Sequence, residues 1–203
     1  MHRLPPKWNF RQPSANSSRK SKVMSQSITN FDGMRTILKH LTVPFVLLTL
    51  VSCIRESGPD GPELGPGDRL PEFEITLQDG SALGTSDLSG KVSVIVFFNT
   101  GCPDCRKELP VIQRIYEDFG TRTAVVCISR GQGQPEIEAY WSENGFSVPY
   151  SAQEDRRVYG LFSRTGIPKV YVSGPELTIR SVYDDDPVAS YEDLARDIQF
   201  LKN

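Results

Sequence analysis

The stretch that most constrains this chain is an apolar run, Val92 to Phe98, that turns through Asn99-Thr100-Gly101 into Cys102-Pro103-Asp104-Cys105. The run is rich in β-branched and aromatic residues and reads as a buried strand. The cysteines open a helical pattern. A strand that hands a Cys-x-x-Cys to a helix N-terminus is the pattern of a thiol–disulfide site. Unpaired N–H groups and the helix dipole favour an anion at the first turn, so the Cys102 thiol is expected to ionise readily. Thiols in such settings have pKa values of roughly 3.5–7.5, against about 8.5 for free cysteine.

The 203 residues and four cysteines allow one ordinary domain with extensions, built on a hydrophobic core rather than on disulfides. The net charge of −2 hides an asymmetry. Residues 1–52 carry eight Lys/Arg and one acidic residue, which leaves 15 basic against 24 acidic side chains in the rest, a net of −9. An acidic globular part argues against nucleic acid as a partner. Downstream of Cys53 there is no histidine, because His2 and His40 both lie upstream. Cys–His hydrolase chemistry is thereby excluded, and a zinc site has only Cys127 as a further thiol, so no metal and no cofactor are expected. Cys127 sits inside an apolar run and reads as a core thiol. Asp184-Asp185-Asp186 reads as a solvated turn.

Residues 1–33 are polar and basic without periodicity, and read as a disordered or non-native leader. Residues 34–52 have the order of a secretory signal: a basic Met34–His40, an apolar Leu41–Val51 and a small residue, Ser52. Met34 is therefore the expected start. The apolar run is short of the roughly 20 residues of a membrane-spanning helix. Leu50-Val51-Ser52-Cys53 resembles the lipobox of bacterial lipoproteins, which implies cleavage before Cys53 and a lipid on its thiol. Ile54 in place of an aspartate leans the placement towards an outer membrane. Residues 53–68 are rich in Gly, Pro and acids and read as a flexible linker, followed by a domain over 69–203.

Within that domain, Phe73–Leu77 and Ser81–Leu83 read as a hairpin, and a helix is expected from the cysteines to Phe119, with Leu109, Ile112, Ile115, Tyr116 and Phe119 on one face and Pro110 kinking it. Thr123–Ser129 is a second buried strand, and Pro135–Asn144 a second helix. A short helix is expected over Asp155–Arg164, a hairpin over Lys169–Ser173 and Leu177–Val182, and a closing helix over Tyr191–Lys202. This order predicts an α/β fold with a mixed central sheet, helices on both faces and an N-terminal β-hairpin.

Domain order, the Cys-Pro-Asp-Cys after the central strand and Thr165-Gly166-Ile167-Pro168 before the last hairpin together resemble the thioredoxin-like fold. More closely, the chain resembles the TlpA/ResA-type thiol–disulfide oxidoreductases, which are membrane-tethered, extracytoplasmic and related to the AhpC/TSA group. The resemblance implies that Cys102 is the nucleophile and Cys105 the resolving thiol of a redox-active pair. It makes Pro168 a cis-proline facing that pair, with the Ile167 backbone offered to a substrate strand. Glu108, at Cys-x-x-Cys-x-x-Glu, becomes a group that accepts and returns protons; the residues alone also allow a solvated carboxylate beside Arg106 and Lys107. Two features depart from thioredoxins: Val96 stands where they carry a buried aspartate, and Gly101 where a tryptophan is common.

The expected activity is reduction or exchange of protein disulfides by a monomer in the periplasm, lipid-anchored and recharged by a membrane electron donor. A peroxiredoxin-like thiol peroxidase is the rival enzyme, although Thr100-Gly101-Cys102 lacks the Thr-x-x-Cys spacing. A non-catalytic binding module on the same scaffold is the third reading.

Overall fold

The computed structural model describes residues 61–202. The leader, the signal segment 34–52, Cys53 and the linker as far as residue 60 lie outside the described residues. Among those described, no helix is long and apolar enough to cross a membrane.

The first regular element among the described residues is a small antiparallel hairpin, β1 (Glu74–Thr76) and β2 (Ala82–Gly84), with Ile75 opposite Leu83. It forms a sheet of its own. A single helical turn, α1 (Thr85–Leu88), leads to β3 (Val92–Phe98). Helix α2 (Pro103–Phe119) follows, then β4 (Thr123–Ser129), α3 (Gln134–Asn144), β5 (Tyr150–Ser151), β6 (Lys169–Ser173), β7 (Ile179–Tyr183) and α4 (Tyr191–Phe200). The five-stranded sheet has the order β5-β4-β3-β6-β7. β3 runs parallel to β4 and antiparallel to β6. The sheet is therefore mixed, as expected, with β3 at its centre.

Alternation along β3 divides the core. Val92, Val94, Val96 and Phe98 join α2, α3 and α4 in one apolar cluster. Ile95 and Phe97 join a second, built from the hairpin, Leu88 of α1 and Val158, Tyr159 and Phe162. Every residue of β3 and β4 is buried, as the continuous apolar runs require of strands covered on both faces. Helix α2 buries Cys105, Glu108, Leu109, Ile112, Gln113, Ile115 and Tyr116, a stripe at three- and four-residue spacing, and runs through Pro110 as one element. The segment between β4 and β5 is tied down by two buried polar side chains. Gln113 accepts from the N–H groups of Ser147 and Val148 at 2.9 and 3.0 Å, and the Trp141 indole donates to the Val148 carbonyl at 2.9 Å.

Four expectations are corrected. Asp155–Arg164 is not a helix but contains one 3₁₀ turn, Tyr159–Leu161. Tyr159 and Phe162, three apart, bury their rings while Leu161 stays exposed, so a single turn meets the packing demand. The second arm of the last hairpin starts at Ile179, because Leu177 has φ 65° and its N–H closes a turn on the Gly174 carbonyl. The closing helix ends at Phe200, and residues 201–202 form a turn. Residues 61–68 are not a free linker: the Leu64 N–H donates to the Phe162 carbonyl at 2.9 Å and the Gly67 N–H to Ile179 at 2.8 Å.

Phe97, fully buried, has its ring centroid 5.3 Å from Tyr159, 4.9 Å from Phe162 and 6.1 Å from Tyr171. A hole there cannot be refilled by one neighbour without breaking another contact. Phe97→Ala is expected to lower the unfolding free energy by about 3–5 kcal/mol; urea denaturation followed by circular dichroism measures it.

Candidate active site

The turn after β3 is built by short-range hydrogen bonds. Asn99 accepts the Gly101 N–H on its side-chain oxygen at 2.8 Å and the Cys102 N–H on its carbonyl at 3.0 Å. A Cβ on Gly101 would lie 3.0 Å from that side-chain oxygen, so glycine suits this tight turn. Cys102 is the N-cap residue of α2, in extended conformation (φ −83°, ψ 122°), with Pro103 following at the first helical position. The Arg106 side chain reaches back to the Thr100 carbonyl at 2.5 Å.

The two thiols occupy different environments. Cys102 is partly exposed, while Cys105 is fully buried. The Cys102 Sγ lies 3.5 Å from the Ile167 carbonyl oxygen. The Ile167–Pro168 peptide is cis, as the resemblance implies, and so is Asp186–Pro187, which sequence reasoning did not identify. Burial pushes the Cys105 thiol well above its ordinary value; a backbone contact from Asn99 opposes this, and the nearby Cys102 and Glu108 add to it. Cys127 lies fully buried in the same cluster, opposite Val96 in the β3–β4 register. Burial also raises its thiol, with Glu108 and Cys105 contributing. It stands in the core as read from sequence, yet within electrostatic reach of the site.

Glu108 is not solvated. It is 1% exposed, one turn beyond Cys105 on the buried stripe of α2. One oxygen, Oε1, accepts the Ala189 N–H at 3.0 Å; Oε2 has no hydrogen-bond partner among the described residues. Burial pushes its pKa up to about 7, against a pull downwards from the Ala189 N–H. The stripe itself was a usable signal: stepping back from Ile112 by four residues lands on Glu108.

Sequence reasoning missed Gln132. Its amide accepts from the Thr100 N–H at 2.9 Å and donates to the Thr100 hydroxyl at 2.6 Å, clasping the cysteine turn from the loop after β4. Nothing local in the sequence marks this contact, which joins residues 32 apart. The structure thus brings Cys102, Cys105, Glu108, Ile167 and Pro168 to one end of the sheet. Cys53 is outside the described residues.

Known proteins resemble this chain in sequence and in fold. ResA, a thiol–disulfide oxidoreductase of Bacillus subtilis, is 25% identical over 114 residues, 56% of this chain and 64% of that protein. The match thus spans slightly under two thirds of that relative's length. The thioredoxin-like protein YneN, also from Bacillus subtilis, is 27% identical over 120 residues, covering 58% of this chain and 70% of YneN. Among solved structures, a thiol:disulfide interchange protein of the thioredoxin family from Chlorobium tepidum superposes with a TM-score of 0.59 at 24% identity, over 70% of this chain and 100% of that one. The thioredoxin domain of a Bacteroides vulgatus thiol–disulfide oxidoreductase gives 0.59 at 20% identity, over 68% and 99%. The fold is thioredoxin-like, and the AhpC/TSA family model matches residues 66–182, more than half of the sequence. The chain belongs to the AhpC/TSA family.

Proposed function

We propose that this protein is a thiol–disulfide oxidoreductase that reduces or exchanges protein disulfides through Cys102 and Cys105. The observation that carries the reading is the pairing of a partly exposed thiol at a helix N-cap, facing the Ile167 carbonyl, with a buried thiol next to a buried carboxyl.

In the proposed reaction the Cys102 thiolate attacks one sulfur of a substrate disulfide. A Cys102–substrate bond forms, the substrate S–S bond breaks, and the leaving substrate sulfur takes up a proton. The Ile167 carbonyl accepts a backbone N–H of the bound substrate strand, which holds the disulfide over Cys102. Cys105 then attacks the Cys102 sulfur, closing the Cys102–Cys105 disulfide and expelling the second substrate thiol. Two electrons pass from the pair to the substrate. The Cys105 thiol, raised by burial, must lose its proton to attack, and Glu108 is placed to take it. A carboxyl with a pKa of about 7 is partly ionised near neutrality and can both accept and return that proton.

The sequence pattern extends the proposal to location. Signal residues 34–52 and a lipidated Cys53 would hold the domain outside the cytoplasm, on the periplasmic face of an outer membrane. The substrates would be disulfide-bonded proteins, the reductant a membrane electron donor, and the active form a monomer. The peroxidase reading draws on the AhpC/TSA match. Against it, the Thr100 hydroxyl is engaged by Gln132. Peroxide consumption by the reduced protein would favour that reading.

Two predictions test the thiol chemistry and the carboxyl. Cys102→Ser should abolish reduction of a protein disulfide, and Cys105→Ser should accumulate mixed disulfides visible on non-reducing gels; normal turnover by Cys105→Ser would overturn the two-cysteine route. Glu108→Gln should slow exchange at pH 7 by roughly 10- to 100-fold and remove an inflection near pH 7 from the rate profile.

Stability gives a second reading of Glu108. A carboxyl raised from 4.5 to about 7 on folding binds a proton more tightly in the native state. Its favourable contribution is complete below about pH 4.5 and is lost as pH rises to about 7. Over that window the reduced protein should lose on the order of 3 kcal/mol of unfolding free energy to this group, a loss absent from Glu108→Gln. Denaturant titrations at stepped pH measure the difference.

A further inference from the structure

The loop that presents Ile167 to the Cys102 sulfur is held at both ends by one residue from outside the domain's regular elements. Glu63 lies in the segment before β1 that composition marks as linker. Its Oε1 is 2.6 Å from Lys169 Nζ, and its Oε2 accepts the Arg164 N–H at 2.9 Å. The Ser163 hydroxyl lies 2.9 and 3.0 Å from the two carboxylate oxygens. Ser163 and Arg164 begin the loop, and Lys169 ends it, directly after Pro168. Between them, the Tyr159 hydroxyl donates to the Gly166 carbonyl at 2.7 Å.

The Glu63 side chain is 35% exposed, but two of its partners are buried. Ser163 is 1% exposed and Lys169 is 9% exposed. Lys169 sits opposite Phe97 in the β3–β6 register, at the margin of an aromatic cluster. An ammonium group in such surroundings needs a partner, and Glu63 supplies the one ion pair Lys169 makes among the described residues. Burial works against the Glu63 charge, but the Arg164 N–H, Lys169 and Ser163 together hold its carboxyl below the ordinary value. The neighbouring backbone is pinned as well, through Leu64 to Phe162 and Gly67 to Ile179.

We propose that Glu63 is a positioning residue for substrate: by bridging Ser163–Arg164 and Lys169 it sets the shape of the loop whose Ile167 carbonyl receives the substrate strand. The inference rests on the reading of Cys102 and Ile167 as the exchange site. A protein substrate, which must lie along the loop, depends on its shape; a small aromatic disulfide, which needs only the Cys102 sulfur, does not.

The test compares full-length wild type, Glu63→Gln and Glu63→Ala with two substrates, a disulfide-bonded protein and 5,5′-dithiobis(2-nitrobenzoate). Gln keeps an acceptor for the Arg164 N–H but loses the charge, and it protects the test if Ala fails to fold. Glu63→Gln is expected to raise KM for the protein disulfide about tenfold with kcat within a factor of about two, and to leave the small-disulfide rate unchanged. Amide exchange at residues 164–167 should accelerate at least about tenfold, while exchange in α2 stays as in wild type. An unchanged KM, or equal losses on both substrates, overturns the proposal. If the wild type reduces no disulfide, the exchange reading fails. The loop measurement then decides the structural half alone: unaltered amide exchange at 164–167 overturns Glu63 as the residue that shapes the loop, and accelerated exchange supports that shaping without a substrate role.

Discussion

β3 is hydrogen-bonded along both edges and covered on both faces, and the rest of the site follows from where its carboxyl end points. β4 lies parallel to it and β6 antiparallel, so the end of β3 meets the end of β4 and the beginning of β6. Phe98 is level with Ser129, and Phe97 with Lys169. The cysteine turn, the loop carrying Gln132 and the loop ending in Pro168 therefore converge without any long-range search by flexible segments. A one-residue slip of a strand buried on both faces would swap its side chains between two close-packed layers of different shape, and this makes the convergence rigid.

The same packing explains the unusual carboxyl. α2 must bury a stripe against the sheet, and Cys105 and Glu108 both fall on it. The surroundings are apolar, with Val96 on the facing strand and Cys127 beside it. A charged carboxylate in that setting, with a single N–H to one oxygen, loses more hydration than it regains. Protonation relieves the penalty, so the group is held near neutrality rather than fully ionised. Where thioredoxins place an acid on the central strand, this chain has Val96, and the acid sits instead on the helix. In the proposed exchange the acid stays on the face of Cys105, the thiol that burial makes hardest to ionise.

How far such features can be read in advance depends on their range. β3, β4 and α2 were legible because hydrophobic periodicity is local and tertiary packing agrees with it. The cysteines were legible from a strand that hands Cys-x-x-Cys to a helix, Pro168 and Glu108 only through family resemblance; the α2 stripe would have marked Glu108 as buried but was not read that far. The segment 155–164 misled because a helical spacing of apolar residues also fits a single 3₁₀ turn. Leu177 misleads because an apolar residue in a β-like run reads as strand while its backbone closes a turn. Gln132 and Glu63 had no local signature at all. Each is an ordinary polar residue in a loop, and its role exists only once strands distant in sequence have been paired.

Residues 61–68 show why composition alone misjudges a linker. Gly, Pro and acidic residues cannot form a core of their own, but they can complete one. Lys169 enters β6 on the face of Phe97, and a buried ammonium there would be costly without an anion; Glu63 is that anion. The segment thus borrows its order from the domain and in return neutralises a charge the domain could not bury unaided. The candidate site is consequently supported from both faces of the sheet. On the α2 face, in the proposed exchange, a buried carboxyl takes the proton of the inner thiol. On the opposite face, an ion pair holds the loop beside the outer one. The two supports share no residue, so the chemistry of the thiols and the shape of the loop beside them can be altered independently.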